Sequence, residues 1–247
     1  MKQTILFDLD DTLIYCNRYF FKVIDLFADW MADRFRREGL DPAEVRRVQA
    51  EIDIAGVQVV GFDSEHFPRS FVETYRHFAA LFGAKPSRDD EETALRLGRS
   101  VYELETEPYP HMEETLERLK EEGHELHLYT GGDPDIQMRK IDRFELRRFF
   151  GSRIHIRRHK DAEALENIAA SCGFDRSRTW MVGNSLRTDV IPALKAGINA
   201  IHVQVEKEWQ YNIVRVDVEP KGAFIRLRQL KDVPAAIAGY VRSRTAR

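Results

Sequence analysis

The sequence predicts an α/β protein: a parallel-sheet core interrupted, just after its first strand, by an all-helical insertion. Three observations carry this expectation. The apolar run Ile5-Leu6-Phe7 is too short for an ordinary helix and stops at a cluster of carboxylates, which reads as a buried parallel strand. Residues 15–105 then show helical apolar spacing without a convincing strand. From Pro110 onward strands alternate with helices, the pattern of a parallel sheet with right-handed crossovers. The first strand has no partner of its own and must join that sheet. The expected division is therefore a core of residues 1–14 and 106–247 and a helical cap of residues 15–105. An insertion at the ligand edge of the sheet is expected to act as a lid.

Within the insertion, Phe20, Val23, Ile24, Phe27, Trp30 and Met31 repeat at three-four spacing and predict a helix ending before Gly39. Asp41-Pro42-Ala43-Glu44 is a helix start, with an N-cap carboxylate and proline at the first helical position. A helix over about 67–82 presents Phe71, Tyr75, Phe78 and Leu81, and Ser87 with Asp90 opens the next, which carries Leu95, Leu97 and Tyr102. These aromatics are read as packing residues.

In the core, Met112, Leu116 and Leu119 mark a helix that Gly123 can end. Strands are expected at His124–Tyr129, Arg153–Arg157, Trp180–Val182 and Ala200–Val205, with another at Ala223–Leu227. Helices are expected at Asp135–Phe150, after an Asp161 cap, from about Thr188 to Ala196, and from Val233. Pro192 fits only within the first turn of its helix.

Composition narrows the classes. With 247 residues, 43% hydrophobic and a net charge of -3, the chain holds one large domain or a core plus a smaller one. The near-neutral balance predicts neither nucleic acid nor an anionic membrane as partner. Two cysteines, Cys16 and Cys172, suit a reducing compartment, and no apolar run reaches membrane-span length, so a cytoplasmic protein is expected.

Polar groups collect at four predicted strand ends: Asp8 with Asp10, Thr130 with Gly131, Lys160, and Asn184 with Asp189. Each has a plainer use, such as a turn, a surface lysine or a helix cap. In this order, at strand ends, they make a site. Three close carboxylates, Asp8, Asp10 and Asp11, call for a cation or a shared proton. One carboxylate can attack phosphorus, a second can protonate the leaving oxygen, and magnesium needs only two or three oxygens from the protein. A hydroxyl, a glycine turn and a lysine suit the remaining phosphate oxygens.

Phe-Asp-Leu-Asp-Asp-Thr-Leu at residues 7–13, Leu128-Tyr129-Thr130, Lys160, and Val182-Gly183-Asn184-Ser185 through Asp189 resemble, in order, the four motifs of the haloacid dehalogenase-like (HAD) hydrolase superfamily. The resemblance implies a Rossmann-like core with a helical cap between the first and second motifs. It implies Asp8 as nucleophile and metal ligand, and Asp10 as general acid/base with its carbonyl on the metal. It further implies phosphate binding by Thr130, Gly131 and Lys160, and magnesium completed by Asn184 or Asp189. The implied activity is hydrolysis of a small phosphorylated metabolite through an aspartyl phosphate. The rivals are a 2-haloacid dehalogenase, a phosphomutase, and a binding protein that kept the fold. Phosphatases of the family usually carry aspartate where this chain has Asn184, so Asn184→Asp is expected to tighten magnesium binding. Substrate choice is expected from the cap and from residues such as Asn17 and Arg18.

Overall fold

The structure, a computed structural model, describes residues 1–245; Ala246 and Arg247, the end of the expected core domain, lie outside the described residues. It divides into two compact units, Arg18–Glu105 and the remainder, Met1–Asn17 with the chain from Thr106 onward.

Strand β1 (Thr4–Phe7) is fully apolar from Ile5 and completely buried there. Beyond it, Asp11 adopts a left-handed backbone (φ 60°) and its carboxylate accepts from the N–H groups of Cys16 and Asn17, fixing the turn that leads into α1 (Asn17–Arg34). In the helical unit α2 (Pro42–Val60), α3 (His66–Leu81) and α4 (Arg88–Arg99) follow. The caps read from sequence are made: Asp41 accepts from Ala43 N–H at 2.8 Å and Ser87 accepts from Asp90 N–H at 3.3 Å. Val23, Phe27, Met31, Phe71, Tyr75 and Phe78 form the centre of this unit's own core, with the Phe27 and Phe71 rings stacked at 4.1 Å.

Two expectations fail here. Leu81, the last residue of α3, is exposed, and on α4 it is Ala94 and Gly98 that are buried while Leu95 and Leu97 are only partly so. Backbone proximity explains α4: a Cβ on Gly98 would lie 2.6 Å from Pro68 Cα, so α3 and α4 meet through a residue without a side chain.

In the larger unit, α5 (Met112–Glu121) ends at Gly123 (φ 82°) and leads to β2 (Glu125–Gly131). Thr130 and Gly131 are therefore the last residues of a strand rather than a loop. The helix expected over 135–150 is two helices, α6 (Pro134–Arg143) and α7 (Arg147–Phe150). The break is at Glu145, whose φ of 52° no helix continues. Next come β3 (Ile154–Arg157), α8 (Ala162–Ser171) capped by Asp161, and β4 (Thr179–Gly183). The helix expected from Thr188 is a π-helical turn, Leu186–Val190, running into α9 (Ile191–Lys195), where Pro192 sits in the first turn. Strands β5 (Asn199–Val203) and β6 (Phe224–Leu227) and helix α10 (Val233–Thr245) complete the described chain.

Among the described residues, six strands make one all-parallel sheet in the order β3-β2-β1-β4-β5-β6. The order reverses at β1, between β2 and β4, so the crevice beyond their carboxyl ends is where such a sheet binds ligands. No helix among the described residues is long and apolar enough to cross a membrane.

Candidate active site

The carboxyl ends of β1, β2 and β4, with the loop after β3, bring the sequence-predicted residues together within the larger unit. Asp8 continues β1, its N–H donating to Val182 O at 2.9 Å, so the sheet itself sets its backbone. Lys160 Nζ donates to Asp8 Oδ1 and to Asp189 Oδ1, each at 2.5 Å. All three side chains are buried, and Lys160 also lies 5.0 Å above the Tyr129 ring. The second oxygen of Asp189 accepts from Ser185 N–H at 3.0 Å. Asp189 can lie there because position 183 is glycine: a Cβ would come within 2.2 Å of Asp189 Oδ2.

The Thr12 hydroxyl stands 3.1 Å from Asp8 Oδ2 and 3.3 Å from Asn184 Oδ1, and accepts from Asn184 N–H at 3.1 Å. Asn184 Nδ2 donates to Glu208 Oε2 at 2.8 Å. Since a carboxylate only accepts, this bond decides the amide's orientation: Nδ2 faces Glu208, and Oδ1 faces the Thr12 hydroxyl. Glu208 is held in turn by Asn212 Nδ2 and by Trp209 N–H, both at 2.8 Å.

Asp10 occupies a separate, more open position. Lys140 Nζ donates to its Oδ1 at 2.8 Å and Gln137 Nε2 to its Oδ2 at 2.9 Å. Gln137 also donates to Thr130 Oγ1 at 2.7 Å, so Thr130 is tied to Asp10 through the amide. The Gly131 carbonyl lies 2.9 Å from the same nitrogen, so its two hydrogens are shared among three acceptors.

The electrostatics follow from burial. Desolvation pushes the Asp8 carboxyl from 3.8 up to about 8 against the pull of Lys160, and Asp189 adds to the rise. Burial works against the Lys160 charge, yet Asp189 and Asp8 together hold its pKa above the usual lysine range. Burial raises Asp11 to about 7, although the Cys16 and Asn17 N–H groups oppose it. Burial also raises Glu208. Two buried carboxylates share one ammonium, so at neutral pH Asp8 keeps a proton that a cation could displace, and the groups beside it, Asp8 Oδ2, the Thr12 hydroxyl and Asn184 Oδ1, are oxygens. That oxygen donor set and displaceable proton fit a hard divalent cation such as magnesium.

Sequence reasoning missed Gln137, Lys140, Glu208 and the anchoring role of Asp11. Gln137 and Lys140 are three apart on α6, and a polar pair at that spacing after a motif strand was the available signal. Glu208 lies in an irregular loop after β5 and had none.

A haloacid dehalogenase-like hydrolase family model matches residues 2–197. The chain belongs to this family. A HAD-like hydrolase from Xanthomonas campestris shares the fold with a TM-score of 0.80 at 21% identity, over 100% of this chain and 95% of its own. A 2-haloacid dehalogenase from Pseudomonas syringae pv. tomato gives 0.59 at 20% identity, over 97% of this chain and 100% of its own. A predicted phosphoglycolate phosphatase from Haemophilus somnus gives 0.60 at 16% identity, over 95% and 97%. No curated protein sequence matches the chain. At these identities the structural likeness establishes the HAD fold, which dehalogenases and phosphatases share, and family membership makes the chain a HAD-like hydrolase.

Proposed function

We propose that this HAD hydrolase is a magnesium-dependent phosphatase that cleaves a small phosphomonoester through an aspartyl phosphate on Asp8. The observation that carries the choice is Asp10, a second carboxylate braced by Lys140 and Gln137 and still partly open, at 26% side-chain exposure. A halide leaves as a stable anion and needs no proton, whereas an alkoxide leaving phosphorus does. A positioned acid is superfluous to the first reaction and required by the second.

In this reading a carboxylate oxygen of Asp8 attacks phosphorus, the ester P–O bond breaks, and Asp10 gives its proton to the departing oxygen. Asp10 then takes a proton from water, which attacks the acyl phosphate and releases inorganic phosphate with Asp8 restored. Lys160, held between Asp8 and Asp189, offsets the charge of nucleophile and substrate. Thr130 and Gly131 hold the Gln137 amide that fixes Asp10, and in this reading they also receive a phosphate oxygen. Asp8, the Asp10 carbonyl and Asn184 Oδ1 would hold the magnesium ion, with Asp189 acting through Lys160. When bound, magnesium supplies positive charge that lowers the repulsion between Asp8 and the phosphate.

The test compares alkyl phosphates, p-nitrophenyl phosphate and 2-chloropropionate, with magnesium and with a chelator. Phosphate release that requires magnesium is expected. Asp10→Asn should lower turnover of alkyl phosphates by about 10²–10⁴-fold and that of p-nitrophenyl phosphate much less, because nitrophenolate leaves without a proton. Chloride release that survives the chelator, with no phosphate ester turned over, overturns the reading in favour of a dehalogenase.

A further inference from the structure

Away from the carboxylates, two strands and a helix end bring together three metal-binding side chains that the hydrolase chemistry does not use. His127 on β2 and His155 on β3 lie on neighbouring parallel strands. Tyr129 is paired with His155, so His127, two residues earlier, projects from the same face of the sheet. His127 Nδ1 is 3.1 Å from His155 Nε2, and the rings meet end to end, nearly coplanar (6°) with centroids 5.5 Å apart. Cys172, the C-cap of α8, is a free and exposed thiol, and the three donor atoms lie within 4.8 Å of one another.

Proton bookkeeping says what the pair of imidazoles offers. His127 Nε2 is 2.9 Å from Glu125 Oε1, and Glu125 is held down to about 2 by its bonds from Lys2 and His127. A carboxylate only accepts, so His127 Nε2 keeps its proton and Nδ1 accepts from His155 Nε2–H; an ion takes the place of that proton when His155 shifts to its Nδ1–H tautomer. This carboxylate–imidazole brace is the arrangement that orients metal-ligating histidines. The edge of the Phe174 ring, with centroids 4.8 Å apart, holds the His127 plane from the side. Burial lowers the pKa of His127 and brings that of His155 down to about 4, so both rings are neutral at pH 7.

We infer that His127, His155 and Cys172 form a second metal site, for a divalent transition ion of the zinc class. Two imidazole nitrogens and a sulfur select zinc, cobalt or nickel over magnesium, which prefers oxygen. Tetrahedral ligation with bonds of about 2.0 Å places two nitrogens about 3.3 Å apart, close to the separation already present. The half-buried His155 ring, whose nitrogen now faces His127 along the line between them, and the exposed Cys172 side chain make the remaining adjustment by rotation. As the S–metal bond forms the thiol gives its proton to water, one per ion, and a fourth position stays open to solvent. The ion would tie β3, a four-residue strand at the sheet's edge, and the end of α8 to β2. β3 is the strand that delivers Lys160.

The test uses untagged protein with magnesium present throughout, titrated with cobalt(II) as spectroscopic stand-in and then zinc(II). One equivalent of cobalt should bind with a thiolate-to-cobalt charge-transfer band in the near ultraviolet, release one proton, and be displaced by zinc. Cys172→Ser, at an exposed position, should keep the native circular dichroism, lose the band and bind at least about tenfold more weakly. Glu125→Gln, which touches no donor but His127, should weaken binding by about 10–100-fold. A wild-type protein that develops no thiolate band, or a band that persists in Cys172→Ser, overturns the assignment.

Discussion

The decisive residue is Asn184, because it stands where the resemblance implies a charged ligand. Taken alone it promises a weak magnesium site that aspartate would improve. Glu208 reverses that expectation. Aspartate at 184 would set a second carboxylate about where the amide now donates at 2.8 Å, against a group that burial already pushes toward protonation. We expect Asn184→Asp to bind magnesium no better than wild type. Glu208→Gln should bind it more weakly, because the amide loses the partner that turns Oδ1 inward. The double variant Asn184→Asp/Glu208→Gln should recover or exceed wild-type affinity, and calorimetric titration of the four proteins measures this coupling. A double variant as poor as the worse single one would show that Glu208 does not govern Asn184. At Asp8 the expectation is simpler. Asp8→Asn keeps the size and the Thr12 and Lys160 neighbours but removes the nucleophile, so turnover should vanish while the fold, followed by circular dichroism, persists. Phosphatase activity retained in that variant would refute the aspartyl phosphate.

At the scale of elements, the helical unit carries a cost that its sequence pattern hides. Asp53 on α2 is buried beside His66 of α3, 3.4 Å from its Nε2, yet Asp53 Oδ1 makes no hydrogen bond. The imidazole bonds the Asp53 carbonyl instead, at 2.9 Å. A close approach makes this possible, since a Cβ on Gly56 would overlap the His66 ring. Burial raises Asp53 from 3.8 to about 6, with His66 opposing the rise. The folded state therefore holds this proton more tightly than the unfolded chain does. The contribution of Asp53 to stability is most favourable below about pH 4 and is lost as the pH rises through 6. Asp53→Asn should consequently raise stability at pH 7 by ~2 kcal/mol and have little effect at pH 4. Denaturant midpoints at the two pH values check this, and an equal shift at both would show that the Asp53 charge is not the cause.

For the whole molecule, the two units have separate apolar cores, one built on Phe27, Phe71 and Phe78 and one on the faces of the sheet. The chain leaves and re-enters the larger unit at neighbouring points. Tyr15 N–H donates to Glu107 O and Tyr109 N–H donates to Leu13 O, both at 2.8 Å, and the Tyr15 and Tyr109 rings stack at 3.9 Å. A short glycine-serine linker can therefore replace residues 18–105 without straining the sheet. The excised protein should unfold cooperatively, with the Asp8–Lys160–Asp189 group intact and magnesium binding retained. A non-cooperative transition would show that the helical residues are needed to fold the core.

What the sequence by itself determined is whatever depends on local periodicity and on chain order. Ile5–Phe7 could only be a buried strand, the alternation after Pro110 could only make a parallel sheet, and the motif residues fall at strand ends because strands end where their apolar runs do. Caps such as Asp41 and Ser87 were legible because the groups they bond lie within three residues. The tertiary structure alone decided contacts across long stretches of chain. Lys140 and Gln137 reach Asp10 from 130 and 127 residues away, and Glu208 reaches Asn184 from a loop with no pattern of its own. Which carboxylate oxygens are taken was equally hidden. Asp189 spends both of its oxygens on Lys160 and Ser185, and Asn184 is turned inward by the one neighbour that can only accept. Hydrogen-bond direction and burial set these roles, and neither exists until the chain is folded.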